Sequence, residues 1–144
     1  MLNKLLDITN LKKIYHDENS ETIALDDISF SVYDNEFISI IGPSGCGKST
    51  ILSILSGVDD KSNGNIKYKD KNLKFGYMLQ KDSLFDWLTV LDNCLLGLKI
   101  RNELNEDSKK QVIKLLDTYG LKDFKNKYPN SLSGGMRQRV AWIL

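Results

Sequence analysis

At 144 residues the chain fits one domain and can bury a core, and 41% hydrophobic with 27% charged residues is ordinary globular usage. Twenty basic against nineteen acidic residues leave a net charge of +1, which gives no electrostatic footprint for nucleic acid or an acidic surface. No apolar run approaches a membrane span, and the first ten residues have neither a sustained apolar stretch nor a cleavage-like site. The expectation is therefore a cytoplasmic protein that reaches a membrane only through a protein partner. Cys46 and Cys94 form no metal-binding spacing, which suits a reduced compartment.

In chain order, Ile28, Phe30 and Val32 alternate with Ser29, Ser31 and Tyr33 and predict a half-buried strand. In the turn at Asp34, Asn35 and Glu36, asparagine is a residue that tolerates a left-handed backbone. Residues 37–41 (Phe-Ile-Ser-Ile-Ile) are apolar and β-branched and predict a buried strand. Residues 42–49 then read Gly-Pro-Ser-Gly-Cys-Gly-Lys-Ser, the full G-x-x-x-x-G-K-[ST] phosphate-binding loop. Ile51, Leu52, Ile54 and Leu55 follow at helical spacing and stop at Gly57.

Strand, glycine loop and helix are the context that gives this motif its chemistry. Gly42, Gly45 and Gly47 allow a backbone whose N–H groups converge on phosphate oxygens, and the new helix adds the positive end of its dipole. The intervening Pro43, Ser44 and Cys46 complete the loop. Lys48 reaches the β- and γ-phosphates as a point charge, Ser49 offers a hydroxyl to Mg²⁺, and Thr50 can add a phosphate hydrogen bond. The loop thus predicts a bound nucleotide with Mg²⁺.

Residues 59–65 are turn chemistry, Ile66 and Tyr68 alternate with lysines in another strand, and the lysines of 67–74 read as a solvated face. Residues 75–79 predict a short strand ending at Gln80. From Thr89 the pattern becomes helical. Thr89 with Asp92 resembles a capping box before Val90, Leu91, Cys94, Leu95 and Leu98. A second helix begins near Asn105, places Val112, Leu115, Leu116 and Tyr119 on one face, and stops at Gly120. His16, beside Tyr15, reads as a surface or loop histidine.

Residues 132–139 (Leu-Ser-Gly-Gly-Met-Arg-Gln-Arg) resemble the signature motif of ATP-binding cassette (ABC) transporter ATPases, with Met136 where many members have Gln. Gln80 ends a predicted strand as the family's Q-loop glutamine does. The stretch around Trp87-Leu88-Thr89-Val90, with Met136, is similar to the nitrate, sulfonate and taurine importer branch, although Asp86 stands where that branch usually has proline and residues 61–75 are short for it. The resemblance runs from Leu5 to about Val140.

It implies an α/β fold: a P-loop NTPase of the ABC nucleotide-binding type, with a mainly β part and loop core over about 1–84. A helical subdomain would occupy about 85–134, and the signature helix would start over 135–144. It also implies that Tyr15 stacks on adenine, where an isolated tyrosine would be plain packing. Gln80 and Lys48 would serve catalysis, with Gln80 touching Mg²⁺ beside Ser49. Ser133, Gly134 and Gly135 would open a helix toward the γ-phosphate held by an opposite protomer. Trp87 is either a docking contact for a membrane subunit or a core aromatic. The implied partners are a membrane permease, a second nucleotide-binding domain in a homodimer and, indirectly, a solute-binding protein, with no nucleic acid. The implied location is the inner face of the cell membrane.

In the family an apolar strand ending Asp-Glu and a switch histidine follow the signature helix. Residues 4–7 and 114–117 match such a strand only superficially, each lacking the Glu and the continuous apolar run. The expectation is thus a nucleotide-binding domain truncated at its C-terminus, poorly stable and with negligible hydrolysis of its own. The alternative is a non-catalytic nucleotide-binding fragment or interaction module. A soluble ABC ATPase of repair or translation fits the Q-loop region less well, and the signature disfavours a phosphate-loop kinase.

Overall fold

The computed structural model describes residues 3–70 and 73–144, so Lys71 of the lysine-rich segment and the first two residues lie outside the described residues. The chain forms two compact units, Met1–Tyr77 and Met78–Leu144.

The first unit is built on a long hairpin, β1 (Lys4–Asp17) and β2 (Ser20–Tyr33), joined by a two-residue turn. β3 (Asn63–Tyr68) pairs with the other edge of β1, giving an antiparallel sheet in the order β2-β1-β3. β3 begins inside the segment whose composition predicts a turn. The hairpin register shifts between Ile8 and Leu11, where Asn10 and Asp27 take left-handed φ of 50° and 58°. These two residue types accept that conformation because their short polar side chains bond locally, and the Asn10 amide indeed donates to the Asp27 carboxylate. One face of the sheet buries Leu6, Ile8, Leu11 and Leu25 against Ile51, Ile54 and Leu55 of α1 (Lys48–Leu55).

α1 ends in a reciprocal pair of bonds: Gly57 N–H donates to the Ile54 carbonyl and Val58 N–H to the Ser53 carbonyl, with Gly57 at φ 75°. This 5→2 and 6→1 arrangement satisfies two terminal carbonyls that no helical N–H reaches. Asn35 sits at φ 59°, the left-handed turn its chemistry allows.

Residues 37–41 do not form the strand their composition predicts. An apolar run becomes a strand only when a neighbour takes its N–H and C=O groups, and no described segment pairs with it. Phe37 and Ile41 are each 92% exposed, while Ile38 and Ile40 line an apolar cleft of about 560 Å³ with Ile28, Phe30 and Ile51. Residues 75–79 are likewise irregular rather than a strand, for the same reason.

The second unit is helical. α2 (Val90–Ile100), α3 (Glu106–Thr118) and α4 (Gly134–Ala141) bury Leu84, Val90, Cys94, Leu95, Val112, Leu116, Leu121, Leu132 and Val140 in one cluster. Each helix starts on a side chain that caps it. The Thr89 hydroxyl accepts from Asp92 N–H at 3.1 Å and donates to the Asp92 carboxylate at 2.7 Å. Asn105 and Ser108 form a reciprocal capping box. The α3 face is narrower than its sequence pattern suggests, with Val112 and Leu116 buried but Leu115 exposed.

Gly120, at φ 69°, closes α3 with the same pair of bonds that ends α1, from Gly120 N–H to Asp117 and from Leu121 N–H to Leu116. Burial pushes the Cys94 thiol up to about 12, so it remains protonated and packs as a small apolar group. No helix among the described residues is long and apolar enough to cross a membrane.

Asn93 is the one fully buried amide of this unit's core. Its Nδ2 shares two hydrogens among the carbonyls of Phe85, Leu88 and Thr89 at 3.0–3.1 Å, and its Oδ1 accepts from Phe85 N–H at 2.8 Å. A single side chain thus holds the irregular segment 85–89 onto α2. Truncation strands several buried backbone groups, so Asn93→Ala is expected to destabilise the second unit by about 3 kcal/mol. Chemical denaturation followed by far-ultraviolet circular dichroism measures this, and a loss near zero would contradict the role.

Candidate phosphate-binding loop and signature turn

The loop between residues 42 and 49 turns the chain from an extended segment into α1. Gly45 and Gly47 adopt φ of 79° and 88°, and Cys46 N–H closes a turn on the Pro43 carbonyl. Gly47 is the N-cap: its carbonyl accepts the first helical bond from Ile51 N–H at 3.0 Å. No side chain caps this helix. The N–H groups of its first turn are therefore left for an external acceptor, and the helix dipole favours an anionic one. The three other α-helices among the described residues are each closed by an N-cap side chain, α4 included.

Position 47 admits only glycine. A Cβ there would lie 2.4 Å from the Ala24 carbonyl oxygen and 2.7 Å from Leu25 Cδ2, and φ is left-handed as well. The loop is in this way seated directly on β2. Register then places Tyr15 close by, since β1 pairs Lys13 with Leu25 and Tyr15 with Thr22. Tyr15, 44% exposed, donates its hydroxyl to Asp59 Oδ2 at 2.7 Å. Lys13 Nζ stands 4.7 Å from the centre of the Tyr15 ring and donates to Asp59 Oδ1 at 2.7 Å and to the Asp60 carbonyl at 2.6 Å. The bonds from Lys13 and then Tyr15 hold the Asp59 carboxyl below its ordinary range.

Lys48 folds back over its own loop. Its ammonium donates to the Gly42 carbonyl at 2.8 Å and the Pro43 carbonyl at 2.6 Å, and lies 3.5 Å from Cys46 Sγ. The cation thus sits over the loop, where its charge adds to that of the uncapped helix start. Ser49 is exposed and Thr50 half-buried in the first turn of α1, and Gly42, Pro43, Ser44, Gly45 and Cys46 are exposed. This donor set fits a polyphosphate: left-handed glycines, uncapped N–H groups, one ammonium and adjacent hydroxyls.

In the second unit Ser133 caps α4, its hydroxyl accepting from Met136 N–H at 3.4 Å. Gly134 and Gly135 open the helix with free space where a side chain would stand. Gln80 is exposed in an irregular segment. Two residues on, Asp82 receives a two-pronged ion pair from Arg137 of α4, Nε at 2.6 Å and Nη2 at 3.1 Å. That fork is the main reason the Asp82 carboxyl lies below its usual range. It ties the segment after Gln80 to the first turn behind Ser133-Gly134-Gly135. Trp87 is 72% exposed and tilted against Phe85 at 5.0 Å, so it is a surface aromatic and not part of the core. His16 is exposed on β1, its Nδ1 3.1 Å from Glu21 Oε1 across the hairpin.

The sequence pattern points to the loop, Tyr15 and the signature but not to Lys13, Asp59, Asn93 or the Asp82–Arg137 fork. Lys13 did leave a trace, as a charged residue two positions after Leu11 on an otherwise inward-facing row.

A glycine loop seated between an extended segment and an uncapped helix defines a phosphate-binding-loop nucleotide-binding protein. The ABC transporter family profile matches residues 25–143, and the chain belongs to that family. It is 45% identical over 141 residues to the uncharacterized ABC transporter ATP-binding protein YtlC of Bacillus subtilis (strain 168), covering 94% of this chain and 54% of that protein. It is 41% identical over 123 residues to the taurine import ATP-binding protein TauB of Jannaschia sp. (strain CCS1), covering 82% of this chain and 46% of that protein.

The dimeric structure of MJ0796, a bacterial ABC transporter cassette, superposes with a TM-score of 0.84 at 30% identity, over 96% of this chain and 68% of that one. A post-hydrolysis dimer of the same cassette bound to ADP and Pi gives a TM-score of 0.83 at 29% identity, with the same coverage. The fold is that of the ABC ATPases. The chain spans about half the length of the curated relatives it matches.

The seat of Gly47 generates a direct test. Gly47→Ala is expected to cost the first unit about 2 kcal/mol or more, from the left-handed backbone and the clash with Ala24 together. Urea denaturation reads this, and a variant as stable as the parent would show that the loop is not seated on β2.

Proposed function

We propose that this chain is the ATP-binding part of an ABC importer subunit, in which ATP binding and hydrolysis drive solute uptake of the nitrate, sulfonate or taurine kind. The observation that carries the reading is the uncapped start of α1 beneath Lys48, in a loop whose glycines take the left-handed angles an anion nest needs. The loop backbone of residues 42–47, Lys48 and Thr50 would hold the phosphates. Ser49 and Gln80 would hold Mg²⁺, and Tyr15 would stack on adenine. Bound Mg²⁺ supplies charge neutralisation between the phosphates, while Lys48 and the N–H groups orient the terminal one.

The importer assignment is supported by the taurine relative, by a sulfonate import relative from Bacillus licheniformis at 37% identity, and by spermidine import relatives at 38% and 37%. Their differing solutes leave the class of cargo as the proposal's finer part. The dimeric cassette supports a homodimer in which Ser133, Gly134 and Gly135 face the nucleotide of the opposite copy. The exposed Phe85 and Trp87 pair suits contact with a membrane permease at the cytoplasmic side, and a solute-binding protein would act through that permease.

A second reading, a nucleotide-binding module that does not hydrolyse ATP by itself, is favoured by one observation. The extended residues 37–41 that lead into the loop have no ladder partner among the described residues, so no sheet ladder fixes the loop's approach.

Binding and turnover separate the readings. Lys48→Ala is expected to weaken Mg-ATP binding about tenfold or more, measured by equilibrium titration with a fluorescent analogue. A parent chain with no detectable affinity would overturn the nucleotide-binding reading. Turnover in the parent that Lys48→Ala abolishes would exclude the module that only binds.

A further inference from the structure

The Tyr15 hydroxyl, though at the surface, has a protein partner. It is clamped to Asp59, a residue of the turn that closes α1, and Asp59 is in turn held by Lys13 from the strand that carries Tyr15. Lys13 is almost fully buried for a lysine, with its side chain 11% exposed, and its ammonium is satisfied by Asp59 and by the Asp60 carbonyl. Asp59 also accepts from Asp60 N–H at 2.8 Å through the oxygen that binds Lys13. Both carboxylate oxygens are therefore committed, one to the lysine and one to the tyrosine.

A tyrosine at the surface of a sheet ordinarily samples its side-chain rotamers. Here the ring is fixed at both ends, by the backbone of β1 and by the hydroxyl. Lys13, 4.7 Å from the ring centre, attracts the π face by a cation–π contact. A flat ring held in one orientation loses little entropy when a second ring stacks on it.

We propose that Asp59 is a positioning residue for nucleobase binding: with Lys13 it locks the Tyr15 ring as a rigid platform for the adenine of the nucleotide held by the phosphate loop. This rests on the ATP-binding reading given above. The lock joins the platform to the same helix that presents its N-terminus to the phosphates. The Asp59 turn follows the C-terminal end of α1, where Val58 and Asp59 N–H groups both donate to the Ser53 carbonyl. Base and phosphate recognition are thereby referred to one helix.

The test compares Mg-ATP with magnesium tripolyphosphate, which offers the phosphates without a base, on the whole chain by isothermal titration. Tyr15→Phe keeps the ring and removes only the hydroxyl; Asp59→Asn keeps the volume and removes the charge. Each is expected to weaken ATP binding about threefold to tenfold. Tripolyphosphate affinity should stay within about twofold of the parent, and the double variant should be no weaker than the worse single one.

Unchanged ATP affinity in Tyr15→Phe would overturn the platform. So would an equal loss for ATP and tripolyphosphate, or losses that add in the double variant. Because Asp59→Asn leaves Lys13 short of its partner and can unfold the unit, Tyr15→Phe alone suffices to decide. A parent that binds tripolyphosphate as tightly as ATP keeps the phosphate loop and removes the platform. A parent that binds neither removes the ATP-binding reading and the platform with it.

Discussion

No side chain fits at position 47, and the arrangement of the first unit follows from that. Gly47 turns left-handed against the Ala24 carbonyl, begins α1 without a capping side chain, and aims the first helical N–H groups outward. Its contact with β2 then positions everything the hairpin carries. Tyr15 and Lys13 reach the neighbourhood of the loop only because β1 is in register with the part of β2 that Gly47 touches. The apolar underside of α1, Ile51, Ile54 and Leu55, pins the helix to the sheet so that its open end stays fixed. An anion site made of backbone groups needs such rigidity, since backbone dipoles stabilise charge well only when they need not reorganise.

The second unit solves a different problem with similar means. Its helices are closed at their starts by Thr89, Asn105 and Ser133, and only the last of these leaves two glycines beyond the cap. Asn93 and the Asp82–Arg137 fork hold the irregular stretch between Gln80 and Thr89 to α2 and α4. Irregular backbone is costly to bury unless side chains take its polar groups: Asn93 takes those of Phe85 and the Leu88 carbonyl, and Asp82 takes the Leu84 N–H. The surface that results shows Phe85 and Trp87 to solvent.

Much of this was legible in the sequence because local chemistry decided it. The loop motif, the starts of α2 and α3 and the stop at Gly120 depend on a few adjacent residues, and each lies where those residues put it. Residues 37–41 and 75–79 depart from their sequence pattern for a non-local reason: apolar β-branched composition favours a strand, yet a strand also needs a partner ladder. The long β1–β2 hairpin was hidden by the opposite effect. Its shift near Asn10 breaks the two-residue alternation, and buried Lys13 interrupts the apolar row, so its pattern does not read as one strand. The partners of Tyr15 and Arg137 are 44 and 55 residues away in sequence, and no local pattern encodes such pairings.

The loop of residues 42–49 is proposed as a preformed phosphate site over which Lys48 now rests on its own backbone. A crystal structure of the chain with a non-hydrolysable Mg-ATP analogue tests it most directly. The loop backbone and the left-handed angles of Gly45 and Gly47 are expected to be retained. Lys48 Nζ should leave the Gly42 and Pro43 carbonyls for phosphate oxygens about 2.8 Å away. A nucleotide bound elsewhere, or a loop that rebuilds its backbone while Lys48 stays on those carbonyls, would contradict it.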